Sequence, residues 1–255
     1  KNINDIMPAI KAFNPEYVLM AISSSCFMYE RDVVARKIKE ECNATIIVVG
    51  DMITEMPEQL LPWFDIGIMG EVENNILEIC SGKKPEEVVS VVYKDTRGDV
   101  ANTSFGKRLE KERLEELPMP DWSLWPYKNY KYMPMITARP VATILASRGC
   151  PYGCGYCPYT KNQGAEWRAR SAENIYMEME NDVKQYGFKG FFFRDPLFSL
   201  DFKRIERLCE LIIENKLKVS FVFETRPELL TKQIIDKLYQ AGCRAINFGV
   251  EDIHP

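Results

Sequence analysis

The second part of the chain alternates between strand-like and helix-like segments, and no other feature of the sequence limits the possible folds more. From residue 141 onward, four apolar segments are typical of buried strands, and they read VATILAS, FKGFFFRD, KVSFVFET and CRAINFGVED. Strands that are separated by helices run parallel, so the alternation predicts a parallel sheet of βα units. Four such units without a reversal indicate the first four strands of a βα barrel. In barrels of this kind, reactive groups gather at the carboxyl ends of the strands.

The first eighty residues show the same alternation on a smaller scale. Three apolar segments, at 16–23, 44–50 and 64–70, are continuous, as in strands that are buried on both faces. Helical patterns at 29–42 and 71–80 alternate with them. We therefore expect an α/β fold in which three strands of a partial Rossmann-like (flavodoxin-like) domain precede the partial barrel.

The residues between these two regions have a different composition. A hairpin pattern with the tripeptide RGD (97–99) at its turn is followed by a charged helical segment and by a stretch rich in Pro, Trp and Tyr. This composition predicts an ordered connector that lies over a domain surface. The expected domains are residues 1–82 and 141–255, with the connector at 83–140. Each expected domain has fewer strands than a complete domain of its kind. We therefore expect the chain to be a fragment of a longer protein.

Composition and charge argue against several classes of function. A net charge of −4 and a pI of about 5.4 give no reason to expect an electrostatic nucleic-acid binder. No apolar run approaches the ~18–20 residues of a membrane span, and charges interrupt the first thirty residues, unlike a secretory signal. The eight cysteines do not resemble the framework of a secreted, disulfide-rich protein. We therefore expect a cytoplasmic protein whose scattered cysteines are mostly buried free thiols.

The loop after the first predicted barrel strand contains three cysteines. The sequence RGCPYGCGYCPY places Cys150, Cys154 and Cys157 in a Cys-x3-Cys-x2-Cys spacing. A zinc site closed by the protein alone needs four ligands, and the single histidine of the chain is His254. A thioredoxin-like Cys-x-x-Cys pair would leave one cysteine without a role, and three structural cysteines by coincidence are a further alternative. Three thiolates on a [4Fe-4S] cluster, with one iron left open, account best for the spacing.

This motif resembles that of the radical S-adenosylmethionine (radical SAM) superfamily. The resemblance rests on the three cysteines, on Tyr156 just before the last of them, and on the position of the loop after the first barrel strand. In that superfamily the methionine part of S-adenosylmethionine (SAM) is the fourth ligand of the cluster. The resemblance thus implies that Cys150, Cys154 and Cys157 are the metal-binding and catalytic residues, with Tyr156 beside the cofactor.

Residues at the later strand ends resemble the SAM-binding positions of the superfamily. The resemblance implies that Glu251 contacts the ribose or the methionine part of SAM and that Gly249 lets the backbone approach it. Glu224 and Arg226 would contact the SAM carboxylate or the substrate, and Asp195 would lie near the SAM amino group. Simpler roles stay open, namely a helix cap or turn residue for Asp195, a surface salt bridge for Arg226 and a solvated charge for Glu251.

The first domain resembles the cobalamin-binding-type domain that precedes the barrel in one branch of the superfamily. The segment FDIGIMGEVENNILEI matches the closing signature of such domains at Asp65, Gly70, Glu71 and Glu73. This branch includes cobalamin-dependent methyltransferases and anaerobic Mg-protoporphyrin ester cyclases. The resemblance implies a cobalamin pocket formed by the loops after the strands. Its expected residues are Ser23, Ser25, Gly50, Gly70 and Glu71.

Together, these resemblances imply a radical SAM enzyme that cleaves SAM reductively and starts radical chemistry on an unactivated carbon. The expected outcome is cobalamin-linked methyl transfer or oxidative cyclisation. The implied partners are a small-molecule substrate and a one-electron donor such as a ferredoxin or a flavodoxin. An iron–sulfur electron carrier or sensor without catalysis is the alternative. The open iron argues against this alternative, because a simple carrier is better served by four protein ligands.

Overall fold

The chain divides into two compact units in the computed structural model. The structure describes residues 3–22, 27–130, 136–157 and 159–250. The first unit comprises residues 1–108 and 152–165, and the second comprises residues 109–151 and 166–255.

The first unit is built on a five-stranded sheet whose strands follow chain order. Its strands are β1 (Tyr17–Ala21), β2 (Thr45–Val49), β3 (Ile66–Ile68), β4 (Val91–Lys94) and β5 (Val100–Asn102). The first three strands pair in parallel, as the sequence predicted, whereas β4 and β5 form an antiparallel hairpin. The sequence pattern assigns this hairpin to the connector, whereas in the structure β4 pairs with β3 and so extends the sheet. The pairing covers an edge of β3 that would otherwise leave its backbone groups unpaired.

The helices are numbered along the whole chain. The first unit contains α1 (Ile3–Phe13), α2 (Phe27–Tyr29), α3 (Arg36–Glu41), α4 (Asp51–Glu55), α5 (Pro57–Leu60), α6 (Glu73–Cys80) and α8 (Tyr159–Gln163). The second contains α7 (Lys111–Glu116), α9 (Ala172–Tyr186), α10 (Phe202–Glu214) and α11 (Lys232–Ala241). A π-helical segment, Glu30–Ala35, joins α2 to α3. Among the described residues, no helix is both long enough and apolar enough to cross a lipid bilayer.

The prediction of strands buried on both faces holds for β2 but is wrong for β1. From Ile46 to Val49, every residue of β2 is buried. Strand β1 lies at the edge of the sheet, and its Leu19 side chain is 51% exposed. An apolar run alone does not distinguish a central strand from an edge strand, because both can be rich in Val, Leu and Ile.

The second unit contains a four-stranded parallel sheet with the order β11-β10-β9-β6. Its strands are β6 (Val141–Ile144), β9 (Gly190–Phe193), β10 (Ser220–Glu224) and β11 (Cys243–Asn247). All four correspond to strands that the sequence predicted, and each neighbouring pair is parallel. A separate short antiparallel pair is formed by β7 (Ser147–Arg148) and β8 (Arg168–Ala169).

The two faces of this sheet have different surroundings. One face carries Phe191, Phe193, Phe221 and Phe223, which form a core with apolar residues of α9, α10 and α11. We call the opposite face the inner face. It carries the smaller apolar cluster that includes Phe192 and Val222. Since side chains alternate between the faces of a strand, this division decides which strand-end residues reach the helices and which reach the inner face.

Three helices of the second unit, α9, α10 and α11, begin at residues whose side chains cap them. Ser171, Asp201 and Thr231 each accept a hydrogen bond from the backbone N–H three residues later. Gly187 and Gly242 follow α9 and α11 in the left-handed conformation. These caps satisfy backbone groups that a helix leaves unpaired at its ends.

Candidate active site at the cysteine loop

The cysteine loop, residues 149–167, begins and ends at the pair formed by β7 and β8. In this pair, Ser147 lies opposite Ala169 and Arg148 lies opposite Arg168. The backbone N–H of Arg170 also donates to the Ala146 carbonyl at 3.0 Å. These contacts form the base of the loop, just beyond the carboxyl end of β6.

The three cysteines of the loop are free thiols. Cys150 is buried, whereas Cys154 and Cys157 are half-buried. The Cys157 N–H donates to the Cys154 carbonyl at 3.1 Å, which makes a tight turn between them. Cys150 belongs to the second unit and the other two belong to the first. Within the described ranges, the structure does not gather three Cys, His, Asp or Glu side chains into a group that could hold a metal ion.

Two glycines of the loop, Gly153 and Gly155, border open space. Apart from the two flanking residues, no atom of the described part of the chain would lie within 4 Å of a Cβ built at Gly153 or Gly155. Free thiolates are the usual protein ligands of iron–sulfur clusters, and a cluster is a bulky group. The donor set and the room at these glycines therefore fit a cluster in chemistry and in chain position.

A charged pair lies on the inner face at the carboxyl ends of two neighbouring strands. An Arg194 Nη1 atom lies 3.5 Å from Glu224 Oε1. The two side chains are 50% and 31% exposed, and the Arg194 guanidinium lies over the Phe192 ring. Glu224 was predicted from the sequence, whereas Arg194 was missed. The alternation in FFFR would have indicated Arg194, because it shares a face with Phe192.

Asp195 lies on the helix-facing side of the sheet and is completely buried. Its Oδ2 accepts a hydrogen bond from the Ala146 N–H at 3.1 Å, and its Oδ1 accepts one from the Ser147 hydroxyl at 2.5 Å. Burial raises the pKa of this carboxyl, and the nearby Arg204 charge and the Ser147 and Ala146 donors oppose the rise. Both carboxylate oxygens are thus engaged by the protein itself, which is not the geometry of the expected contact with a SAM amino group.

The other residues expected to bind SAM lie in separate places. Arg226 forms an ion pair with Glu228 in the turn that follows β10, as in the alternative of a surface salt bridge. Tyr156 is 69% exposed, and Gly249 lies exposed two residues beyond β11. Glu251 lies outside the described residues.

The expected cobalamin residues follow the parallel strands of the first unit. Gly50 comes directly after β2, and Gly70 and Glu71 come after β3. Ser23 and Ser25, which follow β1, lie outside the described residues. Carboxyl ends of parallel strands meet at one edge of a sheet, and ligands of open α/β sheets bind at that edge.

The loops after β2 and β3 are held together by one hydroxyl. Thr54 donates to the Gly50 carbonyl at 2.9 Å and accepts from the Gly70 N–H at 2.9 Å. A Cβ atom at Gly50 would lie 2.5 Å from the Ile22 carbonyl oxygen, and one at Gly70 would lie 2.8 Å from the Phe105 ring. The space beside both glycines is therefore filled by the protein. A cobalamin assignment rests on the placement of the loops rather than on glycine-lined space.

The helix that follows the last cysteine packs within the first unit. Helix α8 contacts α4, and Lys161 pairs with Glu55 at 2.8 Å. Arg108 donates to the Lys161 carbonyl at 2.7 Å. The chain beyond Cys157 is thereby fixed to the helix that starts at the loop after β2.

The comparison with family models gives a match in the second half of the chain. Residues 144–255 match the model of the Radical SAM superfamily. This part of the chain is therefore similar to radical SAM domains. The match includes the cysteine loop and all the strands from β7 to β11, and it implies a [4Fe-4S] cluster and SAM as cofactors of this domain.

Known proteins resemble nearly the whole chain, both before residue 144 and within the matched segment. An uncharacterized methyltransferase of Pyrococcus horikoshii is 28% identical over 261 residues, which cover 99% of this chain and 55% of the relative. The anaerobic magnesium-protoporphyrin IX monomethyl ester cyclase of Rubrivivax gelatinosus is 26% identical over 263 residues, which cover 97% of this chain and 46% of the relative. The chain thus spans about half the length of these curated relatives.

Solved structures share the fold of the radical SAM domain and of the residues before it. The radical SAM methyltransferase TsrM from Kitasatospora setae, solved with cobalamin and a [4Fe-4S] cluster, has a TM-score of 0.77 and 17% identity over 99% of this chain and 52% of its own. The cobalamin-dependent SAM radical enzyme OxsB, solved with aqua-cobalamin and SAM, has a TM-score of 0.71 and 21% identity over 98% of this chain and 37% of its own.

Proposed function

We propose that this protein is a radical SAM enzyme that cleaves SAM reductively and starts radical chemistry on an unactivated carbon of a small molecule. One observation carries the proposal. Three free thiols in a Cys-x3-Cys-x2-Cys spacing lie on the loop after the first strand of a segment that matches the Radical SAM superfamily. Three thiolates leave one iron of a [4Fe-4S] cluster open, as a catalytic metal site requires and a simple electron carrier does not.

The protein would bind and orient the reacting groups, while the cofactors supply the radical chemistry. A bound [4Fe-4S] cluster would supply the single electron for the reductive cleavage of SAM to methionine and a 5′-deoxyadenosyl radical. Cys150, Cys154 and Cys157 would hold the iron of this cluster. Phe192 and Val222, both buried on the inner face, keep water away from the strand ends beside them.

Arg194 and Glu224 are the proposed contacts to the SAM carboxylate or to the substrate. They lie on the inner face, they are partly exposed, and their 3.5 Å separation is long for an ion pair. Each can therefore exchange its partner for a ligand group of opposite charge. Arg226, Gly249, Glu251 and Tyr156 complete the proposed SAM contacts by resemblance.

We favour methyl transfer as the outcome of the reaction. The P. horikoshii relative, which aligns over 99% of this chain, is described as a methyltransferase. Oxidative cyclisation is the second candidate, because the cyclase of R. gelatinosus aligns over 97% of this chain at nearly the same identity. In either case the substrate is a small molecule.

Cobalamin is the proposed second cofactor, held at the carboxyl edge of the first sheet. The support is the placement of the loops after β2 and β3, which contain Gly50, Gly70 and Glu71. Ser23 and Ser25 of the loop after β1 would complete the pocket. TsrM and OxsB, whose folds are similar over nearly the whole chain, were both solved with cobalamin.

A reaction of this kind needs an electron from outside the protein. We propose a ferredoxin or a flavodoxin as the donor. A reducing cytoplasm would also keep the three thiols free for iron.

The experiment that tests the proposal is iron analysis of single cysteine variants. We expect Cys150→Ala, Cys154→Ala and Cys157→Ala each to lose most of the iron and sulfide that the wild-type chain takes up on anaerobic reconstitution. Cys80→Ala is the matched control, because Cys80 is an exposed thiol at the end of α6. A full iron content in any of the three loop variants would contradict the proposal.

A further inference from the structure

Two buried, oppositely charged side chains bind the backbone of one residue at the entrance of the cysteine loop. Asp195 accepts a hydrogen bond from the Ala146 N–H at 3.1 Å. Arg204, on the first turn of α10, donates through Nη1 to the Ala146 carbonyl at 3.1 Å. Ala146 lies four residues before Cys150. Both polar groups of this residue are therefore fixed by side chains from other elements.

The same two residues also contact the chain on either side of Ala146. Asp195 accepts from the Ser147 hydroxyl at 2.5 Å, and Ser147 is the first residue of β7. The Arg204 guanidinium lies 5.1 Å from the ring centre of Trp167, which is the last residue of the cysteine loop. A cation at this distance over an aromatic ring is attracted by it. Asp195 and Arg204 thus contact the chain where the loop begins and where it ends.

The surroundings of the two residues leave them no role in direct ligand contact. Asp195 is 0% exposed and Arg204 is 7% exposed. Arg204 also donates to the Phe198 carbonyl at 2.6 Å, which ties it to the segment between β9 and α10. Charges are rarely placed in a protein interior, because removing them from water costs more than most contacts return. The two buried charges of Asp195 and Arg204 beside the cysteine loop therefore indicate a role beyond stability.

We propose that Asp195 and Arg204 are positioning residues that fix the base of the cysteine loop, so that its thiols are held ready for iron. This inference rests on the proposed function, and it gives Asp195 a role different from a contact to SAM. Groups that orient metal ligands without touching the metal typically change metal affinity about 10–100-fold when they are removed. The effect is expected in the retention of the cluster, not only in turnover.

The test uses a double variant that removes both charges together. Substituting only one residue would leave the other charge buried and unpaired, which would destabilise the domain for an unrelated reason. Asp195→Asn with Arg204→Met avoids this, since it keeps the approximate volume and leaves no net charge. The matched control is Glu173→Gln with Arg207→Met, which removes an exposed ion pair of 2.9 Å between α9 and α10.

The measurement is the rate at which a chelator removes iron from the reconstituted cluster, recorded with the EPR line shape of the reduced protein. We expect the double variant to lose its cluster about 10–100-fold faster than wild type and to show an altered line shape, with unchanged far-UV circular dichroism. The control variant is expected to match wild type in all three. A folded double variant with the wild-type rate and line shape would overturn the inference while leaving the proposed function intact.

A second variant decides the case in which the double variant does not fold. Ser147→Ala removes one donor to Asp195 and leaves both charges in place. We expect it to lose iron severalfold faster than wild type, and an unchanged rate would overturn the inference. Wild-type protein that takes up no iron would overturn the proposed function, and this inference with it.

Discussion

Asp182 is a buried carboxyl whose two oxygens have different environments. Its Oδ2 accepts a hydrogen bond from Trp122 Nε1 at 3.2 Å, whereas its Oδ1 is buried and has no partner among the described residues. Glu178 lies one helical turn away on α9, and its own partner is Arg170 at 2.5 Å. Burial, reinforced by the charge of Glu178, raises the pKa of Asp182 to about 7, although the Trp122 hydrogen bond opposes the rise.

This shift predicts a stability that depends on pH. Asp182 binds its proton more tightly in the folded protein, so its ionisation destabilises the fold as pH rises from about 4 to about 7. We expect the free energy of unfolding of wild type to fall by on the order of 2 kcal/mol between pH 5 and pH 8 through this group alone. Asp182→Asn should lose most of that dependence, because an amide does not ionise and can still accept from Trp122.

Urea titrations at the two pH values measure this effect. Asp236→Asn, at an exposed position of α11, is the control and should keep the wild-type dependence. An Asp182→Asn variant with the same pH dependence as wild type would show that the buried carboxyl is already ionised at pH 5.

Residue alternation, more than residue type, decides which strand-end side chains reach the inner face. Arg194 and Asp195 are neighbours in the sequence, yet the first pairs with Glu224 and the second is enclosed beside α10. The sequence identified Glu224 and Asp195 as candidates but did not separate their surroundings. Arg204 could not be found in this way, because its role depends on the packing of a helix against a loop that is distant in sequence.

At the scale of elements, the N-terminal cap of α9 also forms hydrogen bonds to the connector. Ser171 caps the helix, and its backbone N–H and hydroxyl donate to the two carboxylate oxygens of Glu115 at 2.6 and 2.9 Å. Further along the connector, the Tyr127 hydroxyl donates to the Tyr186 carbonyl at 3.0 Å, at the other end of α9. The connector is therefore held against both ends of one helix.

This double role predicts that two similar helix caps differ in their importance. Thr231→Ala removes only the cap of α11 and should cost about 1 kcal/mol of unfolding free energy. Ser171→Ala removes the cap of α9 and also one hydrogen bond to the Glu115 carboxylate. It should therefore lower the unfolding free energy by about 1–2 kcal/mol more than Thr231→Ala does. Urea unfolding of the two variants beside wild type measures the difference. Equal losses would mean that Glu115 contributes nothing through this hydroxyl.

Most elements of the fold were predictable because their signals are local. Continuous apolar runs located the parallel strands, and the alternation of segments placed the helices α9, α10 and α11 between them. The errors concern which strands pair with each other rather than where the strands lie in the sequence. The hairpin of β4 and β5 was recognised from its turn, but which sheet it joins depends on the free edge of β3. The edge position of β1 depends likewise on what pairs beside it.

At the scale of the whole molecule, the residues of greatest chemical interest lie on one loop of the chain. The motif in this loop was readable from the sequence, since its spacing is a property of consecutive residues. The arrangement of its thiols is not, because Cys150 and the pair Cys154 and Cys157 belong to different units. The central claim is that the three thiolates hold a cluster with one iron left open for SAM.

The most direct test of this claim is EPR spectroscopy of the anaerobically reconstituted, dithionite-reduced protein with and without SAM. The account predicts a signal of a reduced [4Fe-4S] cluster that changes when SAM is added, because SAM occupies the iron that has no protein ligand. A cluster signal that ignores SAM would contradict an open iron. Bound zinc in place of iron would contradict the cluster itself.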